Sequence, residues 1–158
     1  MSGWSEERQI LEVWFAAQWA ALSGPWNAKT VPVEYEGLVF DIPPSGGPYI
    51  SMFLVGSQEG TQIELGTPAL SRYVGMIQFT ISCPIGTGQG PNATARGIGD
   101  ALDGLWKGRR FQTSLGRIRC RVPGLHMLGT QDDRFVAVLT VPYLRDETTP
   151  IPPPVGLA

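Results

Sequence analysis

The run from Tyr73 to Cys83 constrains the fold more than any other stretch of the chain. Ile77, Phe79, Ile81 and Cys83 alternate with Gln78, Thr80 and Ser82, and a period of two puts the apolar set on one face of a β-strand and the polar set on the other. Pro84 ends the run, because proline has no N–H to give to a ladder. A glycine-rich turn, Gly86-Thr87-Gly88-Gln89-Gly90, then leads to Pro91 or Asn92, either of which opens a helix. On that helix Ile98, Leu102, Leu105 and Trp106 share one face. Gly97, Gly99 and Gly104 each weaken it by about 1 kcal/mol, which close approach to a sheet explains.

The remaining segments supply more strands and one more helix. Ser5 is the expected N-cap of the first helix, and Glu6 and Glu7 suit its positive end. Leu11, Trp14, Phe15, Gln18 and Leu22 form its stripe, widened by Ile10, Ala17 and Ala21, until Gly24-Pro25 stops it. Val33 and Tyr35 alternate with Glu34 and Glu36, and Pro32 places this strand near a start or a sheet edge. Asp41 to Pro48 reads as a loop, Tyr49 to Val55 as a strand, and Gln58 to Pro68 as a hairpin tip or projecting loop. Ile118, Cys120 and Val122 alternate with Arg117, Arg119 and Arg121, which predicts a strand with one apolar and one cationic face. Phe135 to Tyr143 is apolar on both faces and β-branched, as a central strand is. With no repeat and no internal boundary, residues 1–146 form one α/β (α+β) domain, followed by a proline-rich extended tail over 147–158.

Composition narrows the function classes. Of the 158 residues 42% are hydrophobic, enough for a sizeable core, and only 16% are charged, against a typical ~25%. That deficit points to surface buried against partners. Glycine (20) and proline (14) are frequent but together stay below the roughly 25–30% of disordered low-complexity chains. The net charge of −2 provides no basic field for nucleic acid or anionic lipid. Two cysteines and one histidine cannot make a disulfide framework or a Cys/His zinc set, and no metal or cofactor is expected. The N-terminal residues lack the charge and apolar pattern of a signal peptide, and no stretch approaches a membrane span. These features predict a soluble protein of a cytoplasm-like compartment, with no membrane partner.

Candidate chemistry is sparse. The Gly86 to Gly90 turn lacks the Lys-Ser/Thr ending of a P-loop, and its spacing departs from the dinucleotide fingerprint. His126, between Pro123-Gly124-Leu125 and Met127-Leu128-Gly129, reads as a loop residue without hydrolase patterns around it. Cys83 and Cys120 fall on apolar strand faces, where thiols are inert packing. Glu34 and Glu36 share a strand face about 7 Å apart, and Asp132-Asp133 reads as a turn. No catalytic residue emerges, so an enzyme is not expected. Arg117, Arg119 and Arg121 repel one another unless solvated, paired with acids of a neighbouring strand or subunit, or set against phosphate. Glu34 and Glu36 are candidate partners, which a ring would supply from the next subunit.

In order, the chain shows an N-terminal helix, Val31-Pro32-Val33, the Tyr49-Ile50 strand and Arg72-Tyr73-Val74-Gly75-Met76. The last leads into Cys83-Pro84-Ile85-Gly86-Thr87-Gly88, followed by a helix with Leu105-Trp106 and a strand ending Val141-Pro142-Tyr143. This order resembles the tail terminator proteins of tailed bacteriophages, over nearly the whole chain to Tyr143. The resemblance implies a mixed, mainly antiparallel sheet with two helices on one face, assembled as a homohexameric ring. It implies a virion protein of the tail or neck, built in the host cytoplasm, that caps the tail tube protein, ends its polymerisation and offers its other face to a head-tail connector. DNA would only pass through the lumen. Glu34, Glu36, Arg72, Arg117, Arg119 and Arg121 are the expected interface residues. The alternatives are another neck or head-completion protein and, from a different class, a small cytoplasmic ligand-binding domain or enzyme using the Gly86 to Gly90 loop.

Overall fold

The alternating run becomes part of β4 (Ala69–Pro84), a 16-residue strand at the centre of the sheet. The structure, a computed structural model, describes residues 3–43, 46–55, 60–64, 69–85, 90–149 and 155–156. Over its full length β4 pairs antiparallel with β8 (Arg134–Thr149), from Ala69 opposite Thr149 to Pro84 opposite Arg134. These two strands are the spine. Along the outer side of β4 run β2 (Tyr49–Val55) and β3 (Gly60–Glu64); along the outer side of β8 run β6 (Gly116–Cys120) and β7 (Gly124–Gln131). The three-residue strands β1 (Val33–Tyr35) and β5 (Arg110–Gln112) close the order β1-β2-β4-β8-β6-β5, and the β1·β2 pair is parallel while the others are antiparallel. With α1 (Trp4–Ala21) and α2 (Pro91–Trp106), this is a mixed, mainly antiparallel sheet with two helices on one face.

Strand register decides which residues face the helices. Ile77, Phe79 and Ile81 of β4 sit opposite Val141, Leu139 and Ala137 of β8, and all six are buried. Leu11, Phe15 and Trp19 descend onto this face from α1, and Ile98, Leu102, Leu105 and Trp106 from α2. Trp106 ties the layers together, with ring centroids 4.8 Å from Trp14, 5.8 Å from Phe15, 5.9 Å from Phe79 and 6.2 Å from Phe111. Two glycines, Gly75 on β4 and Gly116 on β6, make room for an aromatic ring or backbone of β8. A Cβ at Gly75 would overlap the Tyr143 ring across the ladder, and one at Gly116 would overlap the Asp146 carbonyl.

Several sequence expectations need correction. Gly3, not Ser5, caps α1, with no side-chain hydrogen bond. The buried stripe of α1 is Glu7, Leu11, Phe15 and Trp19, one residue per turn, while Gln18, Ala17 and Ala21 are exposed. Trp19 wins the buried position because its indole N–H donates to the Val31 carbonyl at 2.9 Å. The segment around His126 is not a loop: it is β7, whose register slips between Met127 and Gly129, and that irregularity hides its period. β6 stops at Cys120, so Val122 leaves the apolar face and is 64% exposed. Phe135 to Tyr143 is central, yet only one of its faces is fully buried. β8 also continues through Glu147 and Thr148, which the sequence assigns to the tail. Gly97 is crowded by Trp26 of the loop after α1, Gly99 by Leu125 of the sheet, and Gly104 faces open space. Within Gln58 to Pro68 the described residues form β3, which pairs with β4. Gly86 to Gln89 and most of the proline-rich tail lie outside the described residues.

At the far end of the spine the helix-facing side turns polar. Arg145 and Glu7 are each 1% exposed, with Nε of Arg145 3.6 Å from a Glu7 carboxylate oxygen, and Arg145 also pairs with Glu147. The guanidinium stacks 4.1 Å from the Tyr73 ring centroid and 5.7 Å from that of Trp4. Burial first, and then the negative charge of Glu7, push the Tyr143 hydroxyl far above its ordinary range. Glu6 holds the same helix end to the β5–β6 turn by accepting bonds from the Ser114 N–H (2.7 Å) and hydroxyl (2.6 Å). Its carboxyl is lowered chiefly by that hydroxyl.

Candidate interaction surface

Among the described residues, no helix lies on the opposite face of the sheet. It carries Phe53 and Val55 from β2 and Val74 from β4, which are 37%, 43% and 64% exposed. On the β6 side this face becomes cationic, because the register brings three strands to one carboxylate. Asp146 of β8 lies opposite Arg72 of β4 on one side and Arg117 of β6 on the other. Arg72 donates from Nε at 2.7 Å and from Nη2 at 3.0 Å, a bidentate pair, and Arg119 adds a bond from Nη2 at 3.3 Å. Arg110 of β5 stands opposite Arg119. One negative charge therefore sits beneath several positive ones.

Asp146 is buried. The hydrogen bond from Arg72 holds its carboxyl below its ordinary value, with the charges of Arg72, Arg119 and Arg117 adding to the effect. The same bond raises Arg72. A depressed folded-state carboxyl adds stability that is present above the ordinary value of 3.8 and is lost as pH falls through the folded-state value. Asp146→Asn is expected to flatten this acid limb in a series of urea titrations run from neutral pH downward. An unchanged limb would remove Asp146 from the linkage.

The expected interface residues do not all gather in one place. Arg72, Arg117 and Arg119 meet at Asp146, and with Leu70, Gln112 and Thr148 they border open depressions on this face, one of about 410 Å3. Arg121 lies beyond the end of β6, is exposed, and its backbone N–H donates to the Pro142 carbonyl. Glu34 and Glu36 do not reach the arginines within one chain. Glu34 accepts a 2.6 Å hydrogen bond from the Ser51 hydroxyl at the β1 edge, and Glu36 falls in the turn after β1, not on the strand. Sequence reasoning missed Asp146 and Arg110. Their signal was faint: an Arg-Asp-Glu run directly after an apolar strand.

The two thiols sit in the core, where burial raises Cys83 to about 11 and Cys120 to about 12. Among the described residues no group of three or more His, Cys, Asp or Glu is placed to hold a metal ion. Nor is any described helix long and apolar enough to cross a membrane.

No family model matches the chain, and no curated protein matches it. Among solved structures, one chain superposes with a TM-score of 0.68 at 19% identity, covering 96% of this chain and 99% of its own. The fold is thus shared end to end with a chain of nearly equal length.

Proposed function

We propose that the chain is a non-catalytic virion protein that caps a phage tail tube as a hexameric ring, ends tube polymerisation and forms the head-tail joining surface. One observation carries the reading: a sheet face that none of the described helices covers, apolar on its β2 side and cationic around Asp146. A chain that exposes such a face and has few charges elsewhere is suited to burying it against other subunits. Ring formation also needs a patch on each copy that meets a different patch on its neighbour. The order of elements that resembles tail terminators supports the same conclusion. Capping is then a geometric act, in which the ring covers the surface where the next tube ring would add.

The test is direct. Added to tube protein of the same phage during polymerisation, the purified chain is expected to shorten the tubes and to appear in electron micrographs as a ring at one end. Tubes of unchanged length with bare ends would overturn the reading.

A further inference from the structure

Charge is divided along this chain. Residues 1–71 hold eight acidic and two basic residues, and residues 72–158 hold ten basic and six acidic ones. From Lys107 to Arg121, both included, there are six basic residues and no acid. The sheet order turns this division into geometry, because β1 and β5 are its opposite edges. Glu34, Glu36 and Asp41 belong to the β1 edge and the turn that follows it, while Arg110, Arg119 and Arg121 belong to the β5 edge.

Shape follows charge. Beyond β1 the chain exposes Leu38 (66%), Val39 (98%) and Ile42 (61%) beside Glu36 and Asp41. Beyond β6 lies an open depression of about 670 Å3, lined by Cys120, Val122 and Pro142 and bordered by Lys107 and Arg121. The β1 side thus exposes an apolar segment with an acidic border, and on the β5–β6 side the end of β6 leaves an apolar hollow against Pro142 of β8 with a basic border. An exposed apolar centre ringed by charge is the anatomy of a protein interface, and opposite borders set its orientation. Both edge strands are only three residues long, so ladder pairing between copies has little backbone to use.

We propose that the β1 edge of one copy docks on the β5 edge of the next, with Leu38, Val39 and Ile42 seated over Val122 and Pro142 and the acids of one copy facing Lys107 and Arg121 of the other. The contact is head-to-tail, so an open chain of copies has one free edge of each kind, at its two ends, until it closes on itself. It names the subunit contact of the proposed ring and rests on that reading for its closure.

Two charge reversals test it. Glu36→Arg with Asp41→Arg makes both edges basic, and Lys107→Glu with Arg121→Glu makes both acidic; all four residues are exposed, and thermal melts should match the wild type. In sedimentation velocity at low ionic strength, the wild type is expected to self-associate and each variant alone to lose association on the order of 100-fold. An equal mixture is expected to regain it, because each edge of one variant then meets its complement on the other. A wild type that stays monomeric, variants that associate normally, or a mixture without recovery would overturn the contact. So would a Lys107→Glu, Arg121→Glu variant whose defect is instead lost binding to a duplex DNA oligonucleotide. Recovery in a mixture that fails to cap tubes would leave the contact standing and remove the tail-cap reading.

Discussion

Replacing Arg145 with methionine is expected to lower the unfolding free energy in urea by about 3–5 kcal/mol. The side chain is 1% exposed and lies between Glu7 on α1 and Glu147 on its own strand. Methionine fills similar space but strips both carboxylates of the cation between them. Leaving charge buried without its counter-charge is what makes such changes costly, far more than losing an exposed pair. The full set behaves differently. Arg145→Met combined with Glu7→Gln and Glu147→Gln is expected to recover much of the loss, because nothing charged then remains to desolvate. A single variant within about 1 kcal/mol of wild type would show that water reaches this cluster on the surface scale. Against a total of roughly 5–15 kcal/mol for an ordinary domain, the predicted loss leaves little margin at 37 °C.

The second large effect concerns Trp106. Trp106→Ala is expected to cost about 3–5 kcal/mol, as deletion of a large buried aromatic does. The ring is fully buried and touches Trp14 and Phe15 of α1, Phe79 of β4 and Phe111 of β5. The cavity therefore opens where both helices meet the sheet, and neighbours from three elements cannot all move into it. Trp106→Phe is expected to cost much less, partly because the indole N–H has no acceptor among the described residues and its removal relieves an unsatisfied donor. Amide exchange should rise most at Phe111, whose short strand leans on this ring. Equal costs for the two variants would mean that the N–H, and not the packing, carries the position.

Period two was legible wherever a strand packs regularly. Ile77, Phe79 and Ile81 announced β4, and Ile98, Leu102, Leu105 and Trp106 announced the buried face of α2. What escaped depends on long-range register. Asp146 and Arg72 are 74 residues apart in the chain, and only the pairing of β4 with β8 makes them neighbours. Glu7 was read as a complement to the helix dipole because nothing nearby in sequence supplies Arg145, its reason for being buried. β7 was hidden by Gly124, Gly129 and a slip in register, which break alternation without breaking the ladder. For the surface, the arginines on β6 were visible as a group. Their partner within the chain was not, because only the pairing of β6 with β8 brings Asp146 to them, while Glu34 stays at the β1 edge.

The spine has a consequence for how the chain is made. The strands that pair along its whole length are joined by α2, β5, β6 and β7, so their residues lie fifty to eighty positions apart. Such distant pairing delays folding until both partners exist. On a ribosome, β4 would emerge with one long edge unfilled and wait for β8, the last described strand to be synthesised. Until β8 begins to leave the exit tunnel that edge of β4 has no partner, which makes the interval before β8 emerges the period of greatest exposure to aggregation and to chaperones.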